Sequence, residues 1–421
     1  MPPEANRDFD IILWGATGFT GQLTAEYLTS TYESSDLELA LAGRNREKLE
    51  QLEQRLVQNT GGWESLPIVI GDAFDRGSLN DLSGRTSVVC STVGPYSVYG
   101  TDLVEACVEN GTDYCDLTGE LQWIRRMIDR FHSKARENGA RIVHACGFDS
   151  VPSDIGTLMV QDHARSNYGS PCSEIKAFTK SSSFSLSGGT LASMAETFKE
   201  ASSDADVRKV LEAPYSLNPE GERDGPDGSM QKSPRYDDDL DQWTAPFLMA
   251  IANEKIVRRS NALLDYSWGQ DFRYSESMPT GSNLMGPIKA TGISALLATW
   301  GITMSLSPLR TFLRRYVLPE SGEGPSRDTI ENSWFEVRLL GKGTASGEEF
   351  QVEGRVNANW DPGYGATSRM LGESAVCLAL DDTDTSHEGG ILTPASGIGL
   401  PLKDRLNERG VSFEVSSDGS N

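Results

Sequence analysis

Three glycines spaced by two residues interrupt an early apolar run and constrain the fold more than any other feature. The run Ile11–Trp14 consists of residues that favour strands, and residues 22–28 have a helical pattern. This pattern predicts a strand, a tight turn and a helix N-terminus, whose free N–H groups and positive dipole end bind a phosphate. G-x-x-G-x-x-G is a variant of the dinucleotide-binding fingerprint. The residues that we predict to contact the cofactor here are Gly15, Thr17, Gly18, Phe19, Thr20 and Gly21.

A basic residue follows the second predicted strand, at the position that selects between the two nicotinamide dinucleotides. NAD-binding domains carry an acidic residue there for the ribose 2′-hydroxyl, whereas an arginine suits a 2′-phosphate. Here Arg44 and Asn45 follow residues 37–42, and no Asp or Glu stands between Leu39 and Arg46. We therefore predict NADP as the cofactor, with Arg44 and Asn45 beside its 2′-phosphate. The alternative is a solvated Arg44 that merely opens the next helix.

The charge balance excludes several classes of partner. The 421 residues include 38 Lys and Arg against 61 Asp and Glu, which gives a net charge of −23. This charge repels nucleic acid and anionic lipid, so we expect neither as a bulk partner. An acidic surface that is poor in lysine is typical of adaptation to high salt, where self-repulsion is screened. A mildly acidic cytosolic protein is the alternative.

The six cysteines show no C-x-x-C pair, and four of them fall in apolar strand or helix patterns. They are therefore predicted to be buried thiols in a reducing compartment rather than disulfides or metal ligands. Residues 1–8 lack the apolar segment of a secretory signal. We expect a cytoplasmic protein without a metal site.

Strand patterns alternate with helical patterns of about ten residues from residue 9 to about residue 144. This alternation predicts an α/β fold with a doubly wound parallel sheet of the Rossmann type. A second region begins at residue 155 and has a mixed α+β pattern, including two antiparallel strands over residues 334–340 and 349–356. We expect this region to be inserted after the sixth strand and to supply the substrate wall.

Ligands bind a parallel sheet of this kind at the carboxyl ends of its strands. Asp72 follows the third strand, where its carboxylate can bond an adenine amino group. Thr92 and Gly94 follow the fourth strand, on the nicotinamide side, and the same loop carries Tyr96 and Tyr99 as candidate proton donors. We therefore predict that these loops form the active site.

The segments Gly-Ala-Thr-Gly-Phe-Thr-Gly, Ala-Gly-Arg, Val-Gly-Pro-Tyr, Tyr-Cys-Asp-Leu-Thr-Gly-Glu and Gly-Phe-Asp-Ser-Val-Pro-Ser-Asp occur in this order. Together they resemble the saccharopine dehydrogenase-like oxidoreductases, and within them the subfamily of the trans-acting enoyl reductases. The resemblance is dense over residues 11–156 and returns at residues 389–396. It implies an NADP-dependent oxidoreductase whose C-terminal part packs back onto the nucleotide-binding domain.

We accordingly expect three regions. Residues 1–154 form the NADP-binding Rossmann domain. Residues 155–362 form the inserted α+β domain, which supplies the substrate wall and the contacts of an expected homodimer. Residues 363–421 form C-terminal helices that return to the Rossmann domain.

One uncharged stretch has three interpretations. Residues 290–309 contain no charge and are followed by Arg310, Arg314 and Arg315. Their length approaches that of a membrane span, but the hydroxyl residues and two helix disruptors make insertion marginal. We favour a buried helix or an apolar substrate wall. The alternatives are a true span and an interfacial helix, which would give a peripheral contact with the inner face of the plasma membrane through residues 290–315.

The resemblance favours hydride transfer from NADPH to an enoyl or other unsaturated acyl substrate of the lipid or polyketide type, as in glycolipid biosynthesis. Tyr96 or Tyr99 is our first choice for the proton donor and Asp149 the second, whereas His144 is interpreted as a core residue. One alternative is a saccharopine-type amino-acid dehydrogenase, which needs clustered arginines in the second domain. The other is a nucleotide-sensing, membrane-associated binding protein without turnover.

Overall fold

The computed structural model describes residues 7–182, 188–306, 308, 324–381 and 389–417, in which the strands form two seven-stranded sheets. The strands are β1 (Phe9–Trp14), β2 (Leu39–Gly43), β3 (Ile68–Ile70), β4 (Thr86–Ser91), β5 (Asp113–Asp116), β6 (Arg141–Val143), β7 (Glu174–Ser181), β8 (Arg235–Asp237), β9 (Gln242–Pro246), β10 (Arg273–Gly281), β11 (Phe335–Ala345), β12 (Glu348–Ala358), β13 (Gly390–Leu392) and β14 (Ser412–Ser417).

The helices follow the same numbering in chain order, and a turn of π-helix spans Pro362–Ala366. The α-helices of the described residues are α1 (Phe19–Thr31), α2 (Arg46–Asn59), α3 (Arg76–Gly84), α4 (Tyr96–Tyr99), α5 (Thr101–Asn110), α6 (Leu121–Asn138), α7 (Val151–Tyr168), α8 (Gly188–Ser203), α9 (Ala205–Glu212), α10 (Ala250–Leu263), α11 (Met285–Ser305), α12 (Arg327–Glu331), α13 (Thr367–Leu380), α14 (Pro394–Gly397) and α15 (Leu400–Glu408).

The first sheet has the strand order β13-β6-β5-β4-β1-β2-β3, and every neighbouring pair in it is parallel. This is the order of a doubly wound dinucleotide-binding sheet with a seventh strand added at one edge. The predicted Rossmann-type α/β fold is confirmed. The strand order changes direction beside β1, so the carboxyl ends of β1 and β4 flank the position where such sheets bind their ligand.

Helices cover both faces of the first sheet, and its central strands β1 and β2 are mostly apolar. Alternate residues of β1 point to opposite faces, so Ile11 and Leu13 belong to one hydrophobic core and Ile12 and Trp14 to the other. Residues of α1, α2 and α13 cover the first of these faces, and residues of α3, α5 and α6 cover the second. All six cysteines are buried free thiols, as predicted.

The second sheet has the order β14-β12-β11-β7-β10-β9-β8 and is antiparallel except for the β7–β10 pair. α7 leaves the first sheet after β6 and packs against β11 and β12. A Cβ on Gly156 of α7 would lie 3.1 Å from Leu339 and 3.2 Å from Val356, so a glycine permits this close approach. α7 therefore joins the two sheets into one core.

The C-terminal residues return to both sheets. α13 packs against α1, β13 extends the first sheet beside β6, and β14 pairs with β12 in the second sheet. The segment 363–421 thus differs from the purely helical return that we expected. Strands of three and six residues contain too few alternations of apolar and polar residues to be read from sequence alone. The domain boundaries near residues 154 and 362 stay predictions.

The uncharged stretch is exposed rather than buried. Its described part lies mainly in α11, where Leu296 is 69% exposed and Ile302 is 64% exposed. The favoured expectation of a buried helix or substrate wall is therefore wrong for these residues. Among the residues that the structure describes, α11 packs on the body through one narrow side. Arg310, Arg314 and Arg315 lie outside the described residues. Within the described part of the chain, no helix combines the length and the hydropathy that crossing a membrane requires.

Candidate nucleotide and substrate site

The turn between β1 and α1 brings its glycines into direct contact. Gly15 has a φ of +86°, which side chains disfavour, and its carbonyl oxygen accepts the N–H of Gly18 at 2.9 Å. A Cβ on Gly21 would lie 2.2 Å from the same carbonyl oxygen, and a Cβ on Gly15 would lie 2.5 Å from Val93. Gly15 and Gly21 therefore exclude any side chain, and the turn keeps its backbone open to a ligand.

α1 begins with unpaired N–H groups that suit an anion. Its N-cap residue is a glycine, no side chain caps it, and its first turn carries no acidic residue. The first N–H groups of the helix, on Phe19 and Thr20, thus combine with the positive end of its dipole. Nε2 of Gln22 donates a hydrogen bond to the carbonyl oxygen of Thr17 at 2.9 Å. The ring of Phe19 packs edge-on against that of Tyr364. A diphosphate fits this helix N-terminus.

The end of β2 presents a free cation. Arg44 is exposed, and its guanidinium forms no hydrogen bond or ion pair with any residue that the structure describes. Asn45 is the N-cap of α2, and its Oδ1 accepts the N–H of Lys48 at 3.0 Å. A guanidinium without a partner, next to a helix N-terminus, fits a phosphate group at the position predicted for the 2′-phosphate.

Asp72 lies in the loop after β3, beside an exposed aromatic ring. Its Oδ1 accepts the N–H of Phe74 at 2.9 Å, and its own N–H donates to the hydroxyl of Ser78 at 3.1 Å. Phe74 is 70% exposed, and its ring centroid is 5.6 Å from that of Tyr99. An exposed ring next to a carboxylate provides a stacking surface and an acceptor for a flat, amino-bearing base.

Thr92 and Gly94 connect the end of β4 to the glycine turn. The hydroxyl of Thr92 donates to the carbonyls of Trp14 and Gly15, each at 3.2 Å. A Cβ on Gly94 would lie 3.4 Å from the hydroxyl of Ser193 in α8, so the loop passes close to that helix. Both residues thereby border the cleft that separates the first sheet from α8.

This cleft has a volume of about 230 Å³ and opens beside the glycine turn. Its lining includes Thr20, Thr92 and Gly94, and is mostly apolar. The apolar side chains of the wall are Leu117, Leu121, Met194, Phe198, Leu211, Leu248, Met249 and Ile251. The described lining contains two carboxyl groups and no lysine, arginine or histidine. Such a site suits an apolar substrate with one reactive polar group.

Asp149 is the carboxyl group in the cleft that has no partner. It lies in the loop after β6, and a Cβ on Gly119 would be 3.9 Å from its Oδ2, so the loops after β5 and β6 meet here. Its carboxylate makes no hydrogen bond with any described residue. Removal from water therefore acts without compensation and raises the pKa of Asp149 to about 7. A carboxyl with this pKa carries a transferable proton near neutral pH.

Glu120 is the second carboxyl of the cleft, and it has a positioning role. It is buried, and it accepts the backbone N–H groups of Tyr96 at 2.7 Å and of Ser97 at 3.0 Å. Burial raises the pKa of Glu120 above its usual value, against the opposing effect of these hydrogen bonds. Glu120 was not among the predicted site residues, although it ends one of the polar segments quoted above. The sequence signal that could have identified Glu120 is its position directly after Gly119, in the loop that follows β5.

The two tyrosines predicted as proton donors have different surroundings from those of Asp149. Tyr96 lines the cleft, but it is 3% exposed and its hydroxyl donates to the carbonyl of Ser91 at 3.1 Å. Burial raises the pKa of Tyr96 well above its usual value, which makes it a weak acid. Tyr99 packs against Phe74 and is not part of the cleft lining. The assignment of a proton donor stays a prediction.

His144 is a core residue. It is fully buried, its Nδ1 lies 2.8 Å from a carboxylate oxygen of Asp116, and its ring packs edge-on against Trp123. It does not line the cleft. Among the described residues, no group of three or more His, Cys, Asp or Glu side chains is arranged to hold a metal ion.

The first sheet, the open glycine turn, the free Arg44 and the adjoining apolar cleft together define a dinucleotide-dependent oxidoreductase. The residues fit NADP, because the turn leaves room for a diphosphate and Arg44 is available to a 2′-phosphate. Residues 11–143 match the family described as the saccharopine dehydrogenase NADP-binding domain. The cofactor of this oxidoreductase is accordingly NADP.

Curated relatives extend the match to the whole chain. A Mycobacterium tuberculosis H37Rv protein with the provisional name trans-acting enoyl reductase is 40% identical over 419 residues, 97% of this chain and 98% of its own. A trans-acting enoyl reductase of the same strain is 37% identical over 97% of both chains, and one from Mycobacterium ulcerans is 36% identical over 97% of both. The chain belongs to this family of saccharopine dehydrogenase-like oxidoreductases, as the sequence predicts.

A solved structure supports the same fold. Saccharopine dehydrogenase (L-Glu forming) from Saccharomyces cerevisiae superimposes with a TM-score of 0.55, over 97% of this chain and 99% of the yeast chain, at 12% identity. At this identity the likeness concerns the arrangement of the two sheets and not the substrate.

Proposed function

We propose that this oxidoreductase reduces the carbon–carbon double bond of an enoyl acyl substrate, with Asp149 as the proton donor. The observation that carries the proposal is an unpaired carboxyl group with a pKa of about 7 at the wall of an apolar cleft beside the glycine turn. The names of the relatives, which are 36–40% identical, agree with this reaction.

The cleft favours an acyl chain over a charged substrate. Leu121, Met194, Phe198 and Met249 offer apolar contacts on its wall, and burying an acyl chain there releases about 0.8 kcal/mol per methylene group. The described lining provides no cation that would pair with a carboxylate substrate. A substrate with several carboxylates would leave those charges desolvated and unpaired, which is costly.

The cofactor and the residues of the protein contribute different steps to this reaction. Bound NADPH supplies the hydride that reaches the β-carbon of the enoyl group. The chain orients the substrate through the apolar wall, which excludes water from the reacting carbons. Asp149 holds a proton on its carboxyl group and transfers it to the α-carbon, so that the double bond becomes a single bond and Asp149 is left as a carboxylate. Solvent then restores the proton.

The arginines of the second domain do not favour the saccharopine-type alternative. Arg235, Arg258 and Arg273 line a separate cavity of about 370 Å³, which also contains Glu254 and Glu276. Arg258 already has carboxylate partners there, because it donates hydrogen bonds to Asp227 at 2.7 Å and to Glu254 at 3.1 Å. A cluster that is neutralised by its own carboxylates, outside the cleft, is poorly suited to bind an amino-dicarboxylate beside the cofactor.

The test follows the oxidation of NADPH by absorbance with enoyl thioesters of increasing chain length. Asp149→Asn should lower kcat by about 100- to 10,000-fold and leave NADPH affinity unchanged in a calorimetric titration. Tyr96→Phe and Tyr99→Phe are matched controls that should retain most of the activity.

Two results would contradict the proposal. If Tyr96→Phe or Tyr99→Phe loses as much activity as Asp149→Asn while it still binds NADPH, a tyrosine is the donor. If wild-type protein binds NADPH but turns over no unsaturated acyl substrate, the enoyl reductase assignment fails and a nucleotide-sensing role gains support.

A further inference from the structure

α11 carries a stripe of exposed apolar side chains that the proposed reaction does not use. Four large residues of this stripe lie on the helix and two flank its ends; they are between 49% and 90% exposed and are Met285, Ile288, Leu296 and Ile302 on the helix, with Leu284 and Leu306 at its ends. At about 100° per residue the four helical residues fall within about 120° of the helix circumference. Contiguous exposed apolar surface of this kind marks an interaction site.

The opposite side of α11 holds the helix on the protein. Its buried residues are Gly286, Ala290, Ser294 and Met304, which are mostly small. The helix packs on β9, β10 and α8. The stripe therefore faces away from the body, and among the described residues the contacts of α11 lie on its body side.

The hydroxyl groups of α11 need no water. Thr291, Ser294, Thr299, Thr303 and Ser305 each donate to the carbonyl oxygen four residues earlier, at 2.7–2.8 Å. This pattern satisfies a hydroxyl inside its own helix. It reduces the cost of moving the helix surface from water into an apolar medium, where unsatisfied polar groups are expensive.

The size of the stripe favours lipid over a second copy of the chain. A helix of 21 residues is about 31 Å long, and a stripe about 10 Å wide covers about 300 Å². Stable protein dimers bury about 800 Å² per partner. An interfacial helix needs only this stripe in contact with acyl chains. Lys289, the only charged residue of α11, is exposed and has no partner among the described residues, so it is available to a lipid phosphate.

We propose that α11 docks this protein on the surface of a lipid bilayer, with the stripe inserted among the acyl chains and the rest of the protein in water. The docking also orients the cleft. α11 packs on α8, and α8 contributes Met194 and Phe198 to the cleft wall. If the proposed enoyl substrate is correct, the apolar cleft is thereby held near the surface where acyl lipids reside; the docking itself does not depend on that reaction.

Because insertion is apolar, its salt dependence differs from that of a basic peripheral protein. The net charge of −23 repels anionic lipid. Binding to phosphatidylcholine vesicles should therefore change little with salt. Binding to vesicles that also contain phosphatidylglycerol should rise with salt, because the repulsion is screened.

The experiment is co-flotation of the full chain with these two kinds of vesicle. The triple variant Ile288→Glu, Leu296→Glu and Ile302→Glu should lower the vesicle partition coefficient by at least about 100-fold. Leu380→Glu is the matched control, because Leu380 is also exposed, at 43%, but lies on α13. It should float like wild type. NADPH titration and thermal unfolding of each variant report whether it is folded, and NADPH oxidation is measured separately, so failed docking and failed catalysis are distinguishable.

Four outcomes would overturn the proposal. Wild-type protein that does not float at any salt concentration excludes docking. A folded triple variant that floats like wild type excludes the stripe. If the wild type is a dimer and the triple variant is a monomer, and neither protein binds vesicles, the stripe is the contact surface for a second copy of the chain. Binding to anionic vesicles that falls as salt rises would show charge attraction and would contradict apolar insertion.

Discussion

The carboxylate of Glu120 accepts the backbone N–H of Tyr96 at a distance of 2.7 Å. Glu120 follows β5 and Tyr96 follows β4, so this contact ties together two neighbouring loops at the carboxyl edge of the first sheet. The other carboxylate oxygen accepts the N–H of Ser97 at 3.0 Å. A single buried side chain thus satisfies two backbone donors that border the cleft.

Replacing Glu120 should therefore cost stability as well as activity. Glu120→Ala leaves two N–H groups without their acceptor, and we expect a loss of about 2–4 kcal/mol in the free energy of unfolding. Glu120→Gln keeps one acceptor oxygen and should lose less. Urea unfolding measures both, with Glu348→Gln as the exposed control. An unfolding free energy of Glu120→Ala equal to that of the control would mean that this contact does not hold the loops.

The pH dependence of activity should report Asp149. Because burial raises its pKa to about 7, the protonated form that acts as the donor disappears above neutral pH. We expect kcat/KM for an enoyl thioester to fall above about pH 7, and the residual activity of Asp149→Asn to lack this inflection. An unchanged inflection in Asp149→Asn would assign it to another group.

The same group should make stability depend on pH. The folded protein binds the Asp149 proton more tightly than the unfolded chain, whose carboxyl has a pKa of 3.8. This contribution is fully present below pH 3.8 and is lost as the pH rises to about 7. Asp149→Asn should therefore be more stable than wild type at pH 8, by about 1–2 kcal/mol after allowance for solvent in the cleft. Asp162→Asn, at an exposed position, is the control and should show no such gain in urea unfolding.

The cofactor preference should depend on Arg44. A charge-assisted contact with the 2′-phosphate contributes on the order of 1.5–3 kcal/mol, or roughly 10- to 100-fold in affinity. Arg44→Ala should weaken NADPH by this factor and NADH little, and Arg44→Asp should invert the preference. Calorimetric titration of both cofactors measures this, with Arg355→Ala in the second sheet as the control. Equal losses of NADPH and NADH affinity would make Arg44 a structural residue.

A single methyl group should close the glycine turn. Gly21→Ala places a Cβ 2.2 Å from the carbonyl oxygen of Gly15, so the turn must move and NADPH affinity should fall by at least about tenfold. Gly292→Ala is the matched control, because its Cβ meets nothing within 4 Å on the exposed side of α11. It should bind NADPH normally and gain about 0.5–1 kcal/mol in helix stability. Unchanged NADPH binding by Gly21→Ala would remove the turn from the cofactor site.

Local patterns were sufficient for the nucleotide side of the molecule. The strand before Gly15 and the helix after Gly21 have distinct periodicities, and the chemistry of a glycine turn is contained in a few adjacent residues. The position of Arg44 directly after β2 follows from the same kind of short pattern, and its contact with the 2′-phosphate stays a prediction. The substrate side required contacts between distant segments, because the cleft joins loops of the first sheet to α8 and to residues after β9.

The sequence by itself determined the parallel sheet and the dinucleotide turn, because apolar periodicity and glycine spacing over short stretches encode them. It also placed four of the six buried cysteines in apolar strand or helix patterns. Only the tertiary structure decided which polar residues have partners. Tyr96 and Asp149 both lie in predicted loops, yet the hydroxyl of Tyr96 bonds to Ser91 while the carboxyl of Asp149 bonds to no described residue. The exposure of Leu296 could not be predicted from the sequence either. An uncharged helix has the same composition whether protein, lipid or water surrounds it, and only long-range packing decides which of these it contacts.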